Sequence, residues 1–297
     1  MARLILHSDD FGLHEEVNRA IATAAEKGAL TSASLMMNGA AVEDAAKKAS
    51  ACPTLGVGIH LNIVRGRPLS EPRDVPTLVT DEGFFFNSAG PLLWRSMRGA
   101  LSADEVHREY RLQLQRFLDC GMTPTHFDGE KHTHLLIPEA TLAVKRLSQE
   151  FGIAKVRIIG EAGLNRTLKS RRIRLSGPPR QRAKLQFLEY RSRQARRVLA
   201  GLVSTEASFG VLASGTEEFA QGPGVLRAIF ELPSPASVEW MFHLSYPCDM
   251  EEPDFRREFG SFFLGDARAK ELEFLCSDEV GRELERNATK LISYREL

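Results

Sequence analysis

Three features of the sequence predict an α/β fold with a mainly parallel sheet. Short β-rich runs alternate with longer segments of helical period, the signature of repeated strand-helix units. The chain has 297 residues, 43% of them hydrophobic, enough to bury a full core. No internal repeat or low-complexity linker interrupts it, so one domain over residues 1–297, with an insertion at about 162–205, is the economical organisation. A barrel and a doubly wound sheet both satisfy the pattern, and both gather chemistry at the C-terminal ends of strands.

Residues Arg3 to Ser8 read as the first strand, followed by a helix through residues 17–28 that stops at Gly28. Strands follow at 32–39 and 55–62, separated by an alanine-rich helix at 42–50. A Pro- and Gly-punctuated excursion runs from about Arg65 to Gly99, and residues 103–121 form a helix. The segment 124–132 begins as a strand and then turns. A helix at 142–152 and a strand at 155–161 come next, and the chain finishes with a strand at 237–247 and helices at 267–275 and 279–288.

The 39 basic and 39 acidic side chains cancel, which excludes a uniformly basic nucleic-acid coat. No apolar stretch approaches about 18 residues, so no spanning helix is predicted. Neither an apolar leader nor a CxxC pair is present among the four scattered cysteines, Cys52, Cys120, Cys248 and Cys276, which predicts reduced thiols and a cytoplasmic location.

Candidate chemistry falls where the strands stop. Ser8-Asp9-Asp10-Phe11-Gly12 places two adjacent carboxylates at the first strand's end, where they repel unless a cation or shared proton compensates; the structural alternative is a helix-capping turn. His60 ends the strand at 55–62, and a hydrogen-bonded core histidine is its alternative reading. The run from Thr125 to His134 packs His126, Asp128, Glu130, His132 and His134 into nine positions, a concentration of N and O donors suited to a divalent ion. No HExxH is present. Arg157, inside an apolar strand, must find an acid such as Asp9 or Glu161. His243, near the end of the 237–247 strand, suits a general acid or a structural role.

In order and spacing, SDDFG, GIHLN, THFDGEKHTH, VRIIGE and VEWMFH resemble the YdjC-like carbohydrate deacetylases over nearly the whole chain. The form GEKHTHLLIP is similar to the branch encoded with hopanoid biosynthesis, the HpnK-type proteins. The resemblance implies a distorted (β/α) barrel related to polysaccharide deacetylases and a metal-dependent N-deacetylase. Its substrate would be an N-acetylated amino sugar, for this branch an N-acetylglucosaminyl hopanoid lipid. A soluble N-acetylglucosamine oligomer is the alternative substrate, and a non-catalytic sugar- or lipid-binding relic the alternative class.

Carried onto this sequence, the family pattern implies Asp9 as catalytic base and Asp10 and His60 as metal ligands. The family's usual third histidine is replaced here by Glu130, so Glu130 becomes the third ligand, with His132 or His134 as the alternative. An Asp, Glu and His set is harder than Asp with two His. It favours Mg²⁺ or Mn²⁺ over Zn²⁺ as the single divalent ion, with Mg²⁺ expected first. Arg157 would orient Asp9, and His243 would protonate the departing amine. His126, Asp128, His132 and His134 are expected to support these groups or touch substrate, and Asn62 is a weaker candidate for sugar contact.

Between Arg166 and Arg197 stand twelve basic residues and one acid, Glu189, a local charge of +11 that leaves −11 on the rest. With Leu185, Phe187, Leu188, Tyr190, Val198 and Leu199, the second half of this segment predicts a basic amphipathic helix. Such a helix suits peripheral contact with an anionic membrane at its inner face. No recognition motif or aromatic platform supports a nucleic-acid partner, and self-association is left open.

Overall fold

The computed structural model describes residues 3–161, 179–211, 222–230, 237–247, 266–287 and 289–297. Strand β1 (Arg3–Phe11) lies at the centre and is buried from Leu4 onward. It pairs in parallel with β2 (Ser32–Leu35), with β6 (Ser237–Phe242) and, at its start, with the short β7 (Lys290–Leu291). Beyond β2 come β3 (Gly56–Leu61) and β4 (Phe127–Gly129); beyond β6 comes β5 (Ala207–Phe209). Every pairing among these strands is parallel, as helical crossovers require.

The two edges of the sheet, β4 and β5, are joined through the extended segment 154–160. Phe127 bridges Val156, and Lys155 bridges Val203. Arg157 N–H donates to Phe127 O at 2.9 Å, and Ser208 N–H donates to Gly160 O at 3.2 Å. The sheet therefore curls into a barrel, and the expected (β/α) barrel is found. Residues 155–161, expected as a full strand, instead make isolated bridges between their neighbours.

The covering helices are α1 (Glu15–Glu26), α2 (Val42–Ala51), α3 (Ala89–Met97), α4 (Ala103–Asp119), the single turn α5 (Thr133–Leu136) and α6 (Pro138–Phe151). Four more follow among the described residues: α7 (Pro179–Val198), α8 (Gly222–Phe230), α9 (Ala267–Leu275) and α10 (Asp278–Arg286). Their formation follows from pattern and caps. In α1, Val17, Ala20, Ile21 and Ala24 recur at helical spacing and are buried, while the His14 ring accepts Glu16 N–H at the N-terminus. In α4 the buried face is partly polar, and this places a loop. Gln113 holds Asn62 through both backbone groups, at 2.9 and 2.6 Å, and Glu109 accepts Leu69 N–H, Ser70 N–H and the Ser70 hydroxyl.

The first half of the basic insertion lies outside the described residues. Within α7, the face expected as one amphipathic stripe is divided. Leu185, Leu188 and, just past its end, Leu199 are buried in the protein core, whereas Phe187, Tyr190 and Val198 are exposed. A helix packed on the body must spend one apolar face on that body, so only the second set remains for any other contact.

Candidate active site

Strand β1 does not stop at Ser8 as its hydropathy suggests. It continues through Asp9, Asp10 and Phe11, with a register shift between Ser8 and Phe11 and a left-handed Asp10 at φ 68°. In a regular strand, adjacent side chains face opposite sides of the sheet. The bulge lets both carboxylates reach the same interior, and a left-handed aspartate is a strain that recurs at functional sites. On β3 and β4, His60 stands in register with Asp128, so two further strand ends deliver their polar groups beside the Asp pair. After β4 the chain turns through Lys131 (φ 48°) and His132 (φ 56°), both left-handed, and this turn directs Glu130 inward, where it is 7% exposed.

Asp10, His60 and Glu130 each offer a ligand atom within 4.8 Å of the others. His60 Nε2 lies 3.9 Å from Asp10 Oδ1 and 3.5 Å from Glu130 Oε2. Its other nitrogen, Nδ1, is 2.8 Å from Asp128 Oδ1 and 3.1 Å from Ser34 Oγ. Asp128 thus fixes the ring with Nε2 aimed at the two carboxylates, the support that metal-ligating histidines use. The outer oxygens are also held: Arg268 donates to Asp10 Oδ2 at 2.5 Å, and Arg65 Nε donates to Glu130 Oε1. One oxygen of each carboxylate is left facing His60, and Asp10 Oδ1 is buried without a hydrogen-bond partner.

Charge supports a cation here. Among the described residues, the ion-paired network contains five buried carboxylates, Asp9, Asp10, Asp128, Glu130 and Glu239, and three buried guanidiniums, Arg65, Arg157 and Arg268. Two negative charges are in excess, which a divalent ion would neutralise. Without an ion, burial disfavours a charged His60, but Asp128, Glu130 and Asp9 overcome this and hold its pKa well above the usual imidazole value. Two other sets among the described residues, His7 with His126 and Asp128, and Asp9 with His60 and Asp128, also bring ligand atoms within 4.8 Å of one another. Both include Asp128 Oδ2 or its neighbour Asp9, which Arg157 already engages at 2.8–3.0 Å, so a second cation there would meet a guanidinium.

Arg157 is fully buried and grips Asp9 through Nη2 at 2.8 Å and Nη1 at 3.0 Å. Of the two acids expected for it, Asp9 takes the contact, whereas Glu161 accepts Val211 N–H. The guanidinium also meets Asp128 at 3.0 Å and Glu239 at 2.8 Å. Burial opposes ionisation of Asp9, but Arg157 and the bond to His7 outweigh it and hold the carboxyl well below its usual range. His243, half-buried just beyond β6, places Nε2 3.9 Å from Asp9 Oδ2. Burial lowers its pKa, so it rests neutral near pH 7.

The remaining expected residues divide. His134 Nε2 pairs with Arg157 O at 3.1 Å and its ring packs against Gly129, so it is tied into the scaffold and belongs to none of the ligand groups among the described residues. His132 belongs to none of the ligand groups among the described residues; burial and Arg157 keep it neutral. His126 stacks on Tyr294 with ring centres 3.6 Å apart, and burial lowers its pKa to about 4. Asn62 is fully buried, accepts Val64 and Arg65 N–H and shapes the loop that presents Arg65, a structural role. His7, Ser34, Arg65, Glu239, Arg268 and Tyr294 were not anticipated. Glu239, a charge inside the apolar strand β6, carries the same sequence signal as Arg157; Arg65 and Arg268 carry no such signal.

The fold and sequence have known relatives. A solved protein of Enterococcus faecalis V583, named for cellobiose-phosphate cleavage, superposes with a TM-score of 0.73 over 99% of this chain and 98% of its own, at 18% identity. A carbohydrate deacetylase of Geobacillus stearothermophilus is 44% identical over 130 residues, 44% of this chain and 49% of that protein. A chitooligosaccharide deacetylase of Salmonella paratyphi B is 37% identical over 164 residues, 54% of this chain and 61% of that protein. The match thus spans about half the length of these curated relatives, or a little more. Residues 3–286, which hold all the groups described above except Tyr294, match the YdjC-like protein family, and the chain belongs to that family.

Proposed function

We propose that the protein is a metal-dependent N-deacetylase acting on an N-acetylated amino sugar. The observation that carries this reading is the juxtaposition of a ligand set, Asp10, His60 and Glu130, with an ionised carboxylate, Asp9, clamped by Arg157. The deacetylase names of the relatives support it. Asp10 Oδ1, His60 Nε2 and Glu130 Oε2 would hold the ion. The donor set, two oxygens and one nitrogen, favours Mg²⁺ or Mn²⁺ over Zn²⁺. When bound, such an ion polarises the amide carbonyl and acidifies water.

The chain's own residues supply the proton transfers. Asp9 accepts a proton from the attacking water, and Arg157 keeps its carboxylate ionised and oriented until then. His243 is neutral at rest and lies 3.9 Å from Asp9, so with one water between them it would receive that proton and deliver it to the amine as the C–N bond breaks. The products are acetate and a free amino sugar. Loss of Asp9 or His243 removes one positioned proton-transfer group, worth about 10² to 10⁴ in rate.

For the substrate we favour an N-acetylglucosaminyl hopanoid lipid, on the strength of GEKHTHLLIP and the basic segment at 166–197. On α7, Phe187, Tyr190 and Val198 are exposed beside Arg182, Arg193, Arg196 and Arg197, a composition suited to the anionic inner face of a membrane. The second reading, a soluble chitooligosaccharide, is favoured by the name of the Salmonella relative. Acetate release from the glycolipid in vesicles, compared with release from N-acetylglucosamine oligomers, separates the two. Acetate from neither substrate, in protein loaded with Mg²⁺, Mn²⁺ or Zn²⁺, overturns the deacetylase reading. Failure to float with anionic vesicles at low salt removes the membrane contact.

A further inference from the structure

The C-terminal segment belongs to none of the sequence motifs, and residues 287–297 lie beyond the part that matches the family. It nevertheless enters the barrel. Ile292 N–H donates to Leu4 O at 3.0 Å, and Lys155 Nζ donates to Tyr294 O and Arg295 O at 2.6 and 2.7 Å. These bonds deliver the Tyr294 side chain, fully buried, beneath the ionic network. Its hydroxyl donates to Glu239 Oε2 at 2.7 Å. The other oxygen of that carboxylate, Oε1, accepts Arg157 Nε at 3.0 Å and Nη2 at 2.8 Å. Arg157 in turn holds Asp9.

We propose that Tyr294 is a positioning residue for Asp9, acting through Glu239 and Arg157 from the far end of the barrel. Three donors fix the plane of the Glu239 carboxylate, two from Arg157 and one from Tyr294. Without the hydroxyl, Oε2 is left buried with no donor, a condition that folded proteins avoid. The carboxylate then rotates to bring both oxygens onto the guanidinium, whose planar fork favours two-oxygen pairing, and this draws Arg157 off Asp9. The ring also packs against His126, with centres 3.6 Å apart, and meets His7 edge-on at 6.1 Å. Phenylalanine preserves both contacts and removes only the bond to Glu239.

The kinetic arm of the test rests on the deacetylase reading; the structural arm does not. Crystal structures of the wild type and Tyr294→Phe at one pH should show the Arg157 to Asp9 contacts lengthened beyond hydrogen-bonding distance in the variant. With a substrate from which the wild type releases acetate, kcat should fall roughly tenfold while KM stays unchanged, as for an interaction that matters only in the transition state. In a Glu239→Gln background, Tyr294→Phe should add little further loss, because both changes break one chain of contacts. An unmoved Arg157, a kcat equal to that of the wild type, or losses that multiply would each overturn the proposal. A wild type that releases no acetate sinks the deacetylase reading instead, and the two crystal structures still decide the role of Tyr294.

Discussion

Replacing Arg157 by methionine gives the sharpest test of how the site is held together. The guanidinium faces three buried carboxylates, Asp9, Asp128 and Glu239, at 2.8–3.0 Å. Methionine fills much of the volume but leaves these groups without their shared countercharge. Removing one partner of a buried ion pair costs about 3–5 kcal/mol. At about 2–4 °C per kcal/mol for chains somewhat shorter than this one, the melting temperature should fall by roughly 6–20 °C at pH 7. Packing loss alone could lower it too, so the pH dependence is the discriminating measurement. In the wild type, Asp9 and Asp128 ionise well below their unfolded values. The stability they contribute is present above about pH 4, the unfolded aspartate value, and is lost as pH falls through the lower folded value. In the variant, burial is no longer opposed and the same carboxyls ionise above the unfolded value. Their penalty is full at neutral pH and is relieved as they take up protons. The gap between variant and wild type should therefore narrow from pH 7 to pH 4.5, measured by thermal melts followed by circular dichroism. An equal gap at both pH values would refute the electrostatic account.

Four further outcomes are expected. Asp10→Asn should weaken Mg²⁺ or Mn²⁺ binding by at least roughly tenfold in calorimetric titration, because it removes a charged ligand oxygen, while the apo fold persists. Chelation should lower the wild-type melting temperature and leave that of Asp10→Asn nearly unchanged, since only a ligand bound to the native state stabilises it. His126 and His134 are both held neutral by burial, with pKa values lowered to about 4. Against an unfolded value of about 6.5, each contributes stability that is full above that pH and lost on acidification, up to roughly 3 kcal/mol apiece by pH 4; urea unfolding at pH 7 and pH 5 should show the fall. In Gly58→Ala the new Cβ would sit 2.2 Å from the His126 ring, which Tyr294 backs on its other side, so urea midpoints should show a loss of about 1–3 kcal/mol or more.

Hydropathy period and strand-end chemistry single out most of the residues that the fold brings together in the candidate site. Asp9, Asp10, His60, Asp128, Glu130 and His243 all stand at or just past the ends of β1, β3, β4 and β6, where a parallel α/β fold collects its polar groups. The first strand runs three residues past its hydropathic end for a physical reason. Two aspartates look like a strand's end because exposed carboxylates normally sit in turns, yet here Arg157 and Arg268 hold them within the sheet. A different limit applies to β5 and α3, whose short runs lie in segments punctuated by turn residues.

Sequence by itself determined the parallel α/β plan and the inventory of donors, because periodicity and residue chemistry are local properties. Only the tertiary structure decided among them. Asp128 turned out to orient His60, His134 to brace the scaffold, and Tyr294 to reach the network from the opposite end of the chain. It also divided the apolar residues of α7 between the core and the surface. Those outcomes depend on which side chains lie within about 3 Å of one another after the barrel closes, and residues as far apart as Asp9, Arg157 and Glu239 carry no mark of their meeting until it does.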